Sequence, residues 1–185
     1  GFDKGSNRIT IPWRDFEGKL IGVIARIDND IPTNYKYLPL IPFPKHKYLY
    51  GLYENKEHIK ESKEVYIFES EKSVMQCDSF GVHNAVALGG NSISTTQVEK
   101  LLKIGVEHFI IALDEGLDTE IITKNIKTIK SCCFMRDIKI GFILDKDNKY
   151  MMKGSKVSPT DQGGEIFKKL IKECLIINKG MMKYE

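Results

Sequence analysis

The sequence predicts an α/β protein: a parallel sheet flanked by helices, preceded by a small β-rich subdomain. Two patterns predict it. From Val65 onward, the short apolar runs VYIF (65–68), AVAL (85–88), FIIAL (109–113) and IGFIL (140–144), with LII (175–177) as a candidate last one, alternate with helix-like segments near 71–80, 94–104, 118–131 and 160–173. Continuous apolar runs of this length, separated by amphipathic helices, are the mark of parallel strands covered on both faces. Before Val65 the pattern differs. Residues 7–13 (NRITIPW) and 20–27 (LIGVIARI) read as two strands joined by the turn-rich RDFEG, which makes a hairpin.

Between the hairpin and the first parallel strand, residues 30–48 carry Pro32, Pro39, Pro42 and Pro44 and are expected to form an irregular connection. A short helix is expected near 50–60. The boundary between the two parts is placed after residue 62, giving an N-terminal subdomain of residues 1–62 and an α/β domain with its C-terminal extension over 63–185. The helix near 94 begins with a capping box, Ser94-x-x-Gln97, and ends at Gly105. In VSPTDQGGEIF, the residues Ser158, Pro159 and Asp161 read as a helix start. Asp145 and Asp147, in LDKDNK, read most simply as turn formers.

Composition sets the frame. With 185 residues the chain can hold one sizeable core or two tightly joined subdomains, and 42% hydrophobic with 29% charged residues is ordinary for a globular protein. The net charge of +3 is a weak pointer to an anionic partner. The four cysteines, Cys77, Cys132, Cys133 and Cys174, form no CxxC pair and read as reduced thiols in or near the core of a cytoplasmic protein. His46, His58, His83 and His108 show no metal-ligand spacing. No run reaches the ~20 apolar residues of a membrane span, and no signal-peptide pattern is present. The chain starts at Gly1 in an immediately strand-like sequence, so it is expected to be a piece of a longer protein.

Two acids stand out. Glu69 directly follows VYIF, and Asp114 ends the run FIIALD. Ligands of parallel sheets bind beyond the carboxyl ends of the strands. Mg²⁺ takes oxygen ligands and needs only one or two protein carboxylates, leaving room for water and phosphate. Acids that simply favour helix N-termini are the plainer alternative. Asp118 is a metal-ligand candidate or an N-cap, Glu115 points into the site or into solvent, and Asp161 is a ligand or a cap. Gly89, Gly90 and Asn91 follow a third strand and would leave backbone N–H groups open to a phosphate, although glycine pairs are common in turns.

The first fifty residues carry eight Lys/Arg against five acids, and residues 31–50 have Lys36, Lys45 and Lys47 with no acid. Tyr35, Tyr37, Phe43, Tyr48 and Tyr50 are interleaved with them. Cations that neutralise phosphates beside aromatic faces suit single-stranded nucleic acid or nucleotides. Packing of the aromatics onto the sheet, with solvated lysines, explains the same composition. Arg8 and Arg26 lie in core-like strands, where a charge must find a partner.

These pieces, taken in order, resemble a known family. RITIPWRDFEGKLIGVIAR resembles the start of the polymerase core of bacterial and phage DnaG-type DNA primases. KYLP and FPKHKYLYGLYE resemble that family's next blocks. VYIFESEKSVM, GVHNAVALGGNSIS and FIIALDEG resemble the signature blocks of its Toprim domain, and KVSPTDQGGEIF its later acidic segment. The series runs from about Asn7 to Phe167. The resemblance implies a Toprim-type sheet and a divalent-metal-dependent nucleotidyltransferase. Such an enzyme makes short RNA primers from nucleoside triphosphates on single-stranded DNA template. Its cofactor is Mg²⁺ or Mn²⁺, a replicative helicase, fused or separate, is a partner, and no membrane is involved.

The resemblance assigns Glu69 and Asp114 as catalytic and metal-binding residues, with Glu115, Asp118 and Asp161 as further metal ligands. It places Arg8, Arg26, Lys36, Tyr37 and Lys45 against nucleotide or template, with Gly89, Gly90 and Asn91 beside them. The pattern also departs from the family. Gly116 replaces the second aspartate of the Asp-x-Asp motif, Ser158 and Thr160 stand where the later segment has aspartates, and Ser73 stands where an acid often follows the glutamate. These departures imply a rearranged metal site or weakened catalysis. A non-catalytic nucleic-acid-binding module of the same fold, and a different Toprim enzyme such as a nuclease or topoisomerase, are the alternatives.

Overall fold

A computed structural model describes residues 1–27, 35–116, 118–133 and 136–178. Two sheets organise it. The first is antiparallel, in the order β1-β2-β3-β4: β1 (Phe2–Asp3), β2 (Arg8–Arg14), β3 (Leu20–Ile27) and β4 (Tyr37–Ile41). The hairpin expected from the sequence is β2–β3, with Ile11 opposite Ile24. Pro12 is tolerated because the Thr10 N–H, two residues earlier on the same side, already reaches the last residue of β1's flank, the Gly1 carbonyl at 2.9 Å. Beyond that point no ladder bond is required of β2 on that side.

The expectation of an irregular connection over 30–48 is corrected for its second half. Tyr37–Ile41 is a strand, and a 3₁₀ turn at Lys45–Lys47 follows. Pro39 disguises the strand in the sequence, but β4 lies at the sheet edge, where a missing N–H costs little. Residues 28–34 of that connection lie outside the described residues.

The second sheet has the order β6-β5-β7-β8-β9, built from β5 (Glu64–Phe68), β6 (Ala85–Ala87), β7 (His108–Ile111), β8 (Lys139–Ile143) and β9 (Leu175–Asn178). The first four strands are parallel, as the apolar runs predict, whereas β9 is antiparallel to β8. The reason is local. Helix α5 (Gly164–Cys174) runs into β9 without a loop and delivers Leu175 beside Ile143, at the carboxyl end of β8.

Alternate residues of each strand serve opposite faces. Val65, Ile67, Phe109, Ile111 and Ile140 pack with Leu52 and Ile59 of α1 (Leu52–Ser62), Val98 and Leu101 of α3 (Thr95–Lys103) and Ile129 of α4 (Thr119–Cys132). Tyr66, Phe68, Ile110 and Ile143 pack with Val74 and Cys77 of α2 (Glu71–Ser79) and Phe167 and Leu170 of α5. The sheet is therefore buried on both faces. Helix α1 belongs to this core by packing, although it precedes residue 63.

The capping box at the start of α3 is present: Ser94 Oγ accepts from the Gln97 N–H at 3.1 Å, and the Ser94 N–H donates to Gln97 Oε1 at 2.9 Å. The helix start expected at Ser158 is displaced. Residues 158–163 form turns, and α5 begins only after Gly163. The Ser158 and Thr160 hydroxyls are drawn instead to side chains of α2. All four cysteines are free thiols, two of them buried. Among the described residues, no helix is long and apolar enough to cross a membrane.

Candidate active site

The order of the second sheet fixes where a ligand can sit. From β5 the chain crosses to β6 on one side, and from β7 it crosses to β8 on the other. Strands β5 and β7 are neighbours, with Ile67 opposite Ile111. The connections leaving their carboxyl ends therefore diverge and open a crevice, the usual ligand site of such sheets. Glu69 follows β5 and Asp114 follows β7 by a few residues, so both stand at this crevice.

Their electrostatics agree with the placement. Burial raises the carboxyl of Glu69 above the usual range. Asp114 is pushed up to about 6, first by burial, then by the charges of Glu69 and Asp161, with Lys72 and Ser158 opposing. Asp114 Oδ1 is buried and has no hydrogen-bond partner. An acceptor stripped of water and lacking a donor is a suitable cation ligand.

The remaining acids divide. Asp161 joins the cluster: its Oδ1 lies 2.6 Å from Lys72 Nζ, and its Oδ2 accepts from the Ser158 N–H at 3.2 Å. It does not cap α5, whose N-cap is Gly163. Glu115 accepts from the Lys156 N–H at 3.2 Å and lines, with Asp114, Gly116 and Met151, a cavity of about 300 Å³ between the ends of β7 and β8. Asp118 is the N-cap of α4, accepting from the Glu120 N–H at 3.0 Å, and is exposed. Of the two roles expected for it, the structure describes the capping one. Asp145 is a turn former as expected: burial works against its charge, but the N–H groups of Met151, Tyr150 and Lys149 outweigh it and hold the carboxyl below its ordinary value. Among the described residues, no group of three or more histidine, cysteine or carboxylate side chains converges tightly enough to hold a metal alone. Two carboxylates, completed by water and phosphate oxygens, are the set that fits.

The small sheet meets this crevice through Trp13. Its indole is fully buried and donates Nε1–H to Glu71 Oε1 at 3.0 Å, while Phe43 and Tyr50 pack on the ring. Lys45 lies over the same ring, with Nζ 4.0 Å from Glu71 Oε1 and 3.5 Å from the Gly89 carbonyl. Gly89 is required here, since its φ of +67° is left-handed and a Cβ would meet Trp13 and Lys45 at 3.0 Å. Its N–H is committed to the Glu69 carbonyl at 3.0 Å, so it is not open to a phosphate. Gly90 and Asn91 complete the same loop, and the Asn91 carbonyl accepts from Asn125 Nδ2 at 2.9 Å.

Arg8 is buried within the small sheet, donating to the carbonyls of Tyr35 at 2.9 Å and Lys36 at 3.2 Å. Those bonds satisfy its charge without a nucleotide. Arg26 lies 6.0 Å from the Tyr37 ring centroid and keeps a buried Nε with no hydrogen-bond partner. Tyr37 is half-buried, Lys36 is exposed, and burial raises the Tyr37 phenol, with Glu71 and Asp114 close enough to add to the shift.

Sequence reasoning missed Trp13, Glu71 and Lys72. The one tryptophan of the chain, placed in an amphipathic strand, was the available signal, because a buried indole N–H needs an acceptor. Glu71 and Lys72 read as an ordinary first helical turn and gave no signal.

No protein-family profile matches the chain. It is 32% identical over 191 residues to an uncharacterized protein of the SPbeta prophage of Bacillus subtilis strain 168, covering 91% of this chain and 50% of that protein. It is 30% identical over 191 residues to a DNA primase of Halalkalibacterium halodurans, covering 99% of this chain and 30% of that protein. Among solved structures, a DNA primase domain from Pseudomonas aeruginosa matches with a TM-score of 0.72 at 21% identity, over 92% of this chain and 52% of that chain. A DnaG primase catalytic domain bound to ssDNA matches with a TM-score of 0.67 at 23% identity, over 91% and 52%. The chain spans half or less of the length of these two relatives.

A mixed sheet with an acid-edged crevice and an antiparallel subdomain before it is the arrangement the chain shares with these solved primase cores. The chain is a homologue of the bacterial DnaG-type DNA primases, and it has the fold of their catalytic core.

Proposed function

We propose that this chain is the catalytic core, or most of it, of a primase that joins nucleoside triphosphates into a short RNA on a single-stranded DNA template. The observation that carries the reading is that Glu69 and Asp114 follow the neighbouring strands β5 and β7, near enough for the charge of Glu69 to act on Asp114, with Asp114 Oδ1 buried and without a hydrogen-bond partner. Glu69 and Asp114 would hold Mg²⁺ or Mn²⁺, with Glu115 the nearest further acid on the same loop. When bound, the ion supplies neutralisation of charge developing on the transferred phosphoryl group.

The chain's own residues do the rest. Arg26, Lys36, Tyr37 and Lys45 line the approach from the small sheet and bind triphosphate and template by charge and stacking. In this reading residues 1–62 carry nucleic acid and residues 63–185 the metal. A replicative helicase is the partner that brings such a core to its template, and the site of action is the bacterial cytoplasm.

The test is primer synthesis from labelled nucleoside triphosphates on single-stranded DNA with Mg²⁺ or Mn²⁺. Product is expected from wild type, with a loss of roughly 100-fold or more in Asp114→Asn and Glu69→Gln, as for other groups that stabilise transition-state charge. One observation favours a second reading, a nucleic-acid-binding module without catalysis: hydroxyls stand at Ser73, Ser158 and Thr160, where the family resemblance puts acids, and Gly116 stands for another. DNA binding that is unaffected by Glu69→Ala, with no product under either ion, would establish it.

A further inference from the structure

The acidic crevice already holds a cation of its own. Lys72 is the second residue of α2, three positions after Glu69, and its Nζ lies 2.6 Å from Asp161 Oδ1, an ion-pair contact that is not aligned as a hydrogen bond and is the only charge this buried oxygen meets among the described ion pairs. Asp161 in turn is an electrostatic neighbour of Asp114, as Glu69 is. Around this ion pair the groups that close the crevice are uncharged. Ser73 Oγ and Ser158 Oγ lie 2.7 Å apart, Ser158 Oγ and Thr160 Oγ1 3.2 Å apart, and Thr160 donates to Gln76 Oε1 at 2.8 Å. Ser73, Ser158 and Thr160 are all buried. These hydroxyls are tied to one another and to Gln76, and as neutral groups they add no charge that would draw a further metal ion.

We propose that Lys72 is a positioning residue that holds Asp161 out of metal coordination, so that the crevice takes one divalent cation and no second. This rests on the reading of Glu69 and Asp114 as metal ligands. The charges that act on Asp114 support it: with Asp114 itself, Glu69 and Asp161 make three carboxylates, and the one ammonium of Lys72 leaves two negative charges, which a single divalent ion balances. Breaking the ion pair would free Asp161, whose carboxylate faces the same cluster, to bind a further ion.

The test is the number of Mn²⁺ ions bound, measured by calorimetry and by the loss of the free-ion paramagnetic resonance signal, on the whole chain. Wild type is expected to bind one ion, Asp114→Ala none, and Lys72→Met two. Adding Asp161→Asn to Lys72→Met is expected to return the count to one. Lys72→Gln serves as a second neutral variant, and thermal melts establish that each protein is folded. A count of two in wild type, or a count that stays at one in both Lys72 variants, would overturn the role given to Lys72. If Asp114→Ala still loses its ion in that case, the reading of Glu69 and Asp114 stands. Absence of Mn²⁺ binding from folded wild type and both Lys72 variants would overturn both.

Discussion

At the scale of single residues, Asp114 carries the most consequence. Its carboxyl, raised to about 6 by burial and then by Glu69 and Asp161, keeps its proton in the folded state at pH values where the unfolded chain has lost it. The metal-free protein therefore loses stability as pH rises from about 4 to about 6. A shift of about two units is worth at most ~3 kcal/mol, and solvent screening at this half-exposed edge reduces the expected figure to about 1–2 kcal/mol. In EDTA at pH 7, Asp114→Asn is expected to be more stable than wild type by that amount, and the difference should vanish below pH 4. Urea melts at the two pH values measure it, and equal midpoints at pH 7 would contradict the burial argument. Saturating Mn²⁺ should reverse the order, because only wild type gains the binding free energy. Glu69 and Asp114 were legible in the sequence because each ends a continuous apolar run. Asp118 and Asp161 were not resolved there, since an acid before a helix pattern looks the same whether it caps the helix or turns away from it.

At the scale of elements, the Trp13–Glu71 hydrogen bond is one of the contacts that join the small sheet to the large one, and the buried one between β2 and α2. Removing the Glu71 carboxylate leaves the Trp13 N–H buried without an acceptor, so Glu71→Ala is expected to cost about 2–3 kcal/mol. Glu71→Gln keeps an acceptor at the same place and should cost about 1 kcal/mol or less. Denaturation followed by the fluorescence of the single tryptophan measures both; equal losses from the two variants would place the cost elsewhere. The parallel strands were legible because burial on both faces leaves no polar alternation to interpret. Strand β4 was hidden by Pro39, and the start of α5 was hidden because Ser158 and Thr160 look like capping residues until their partners on α2 are known. The antiparallel direction of β9 depends on how α5 returns the chain to the sheet, which no local pattern encodes.

At the scale of the whole molecule, a basic small sheet faces an acidic crevice, and this asymmetry predicts how DNA binding responds to salt. Contacts made by Lys36 and Lys45 to phosphates would release counterions, so affinity for single-stranded DNA should fall linearly with the logarithm of salt concentration, with each contact adding about 0.7 to the slope. Lys36→Ala is expected to lower the slope by roughly that amount, and Lys45→Ala by less, because its ammonium already lies near Glu71 and the Gly89 carbonyl. Arg8→Lys should leave the slope unchanged, because its guanidinium is spent on the carbonyls of Tyr35 and Lys36. Filter binding at several salt concentrations distinguishes these outcomes, and a slope untouched by either lysine would move the template path away from the small sheet. The basic and aromatic content of the first fifty residues was legible, but which cations are engaged was not, since that depends on the Tyr35 and Lys36 carbonyls that the chain brings to Arg8 just before β4.

The Trp13–Glu71 bond also has an evolutionary side. The two positions are 58 residues apart in the chain yet share one hydrogen bond at the seam of the two sheets. A lineage that first loses the indole must tolerate a buried carboxylate with only Lys45 nearby, at 4.0 Å. A lineage that first loses the carboxylate must tolerate an orphaned donor. Either route passes through a less stable intermediate, so the two positions are expected to change together. A small sheet borrowed from a distant relative would graft onto this large sheet only if residue 71 came with it.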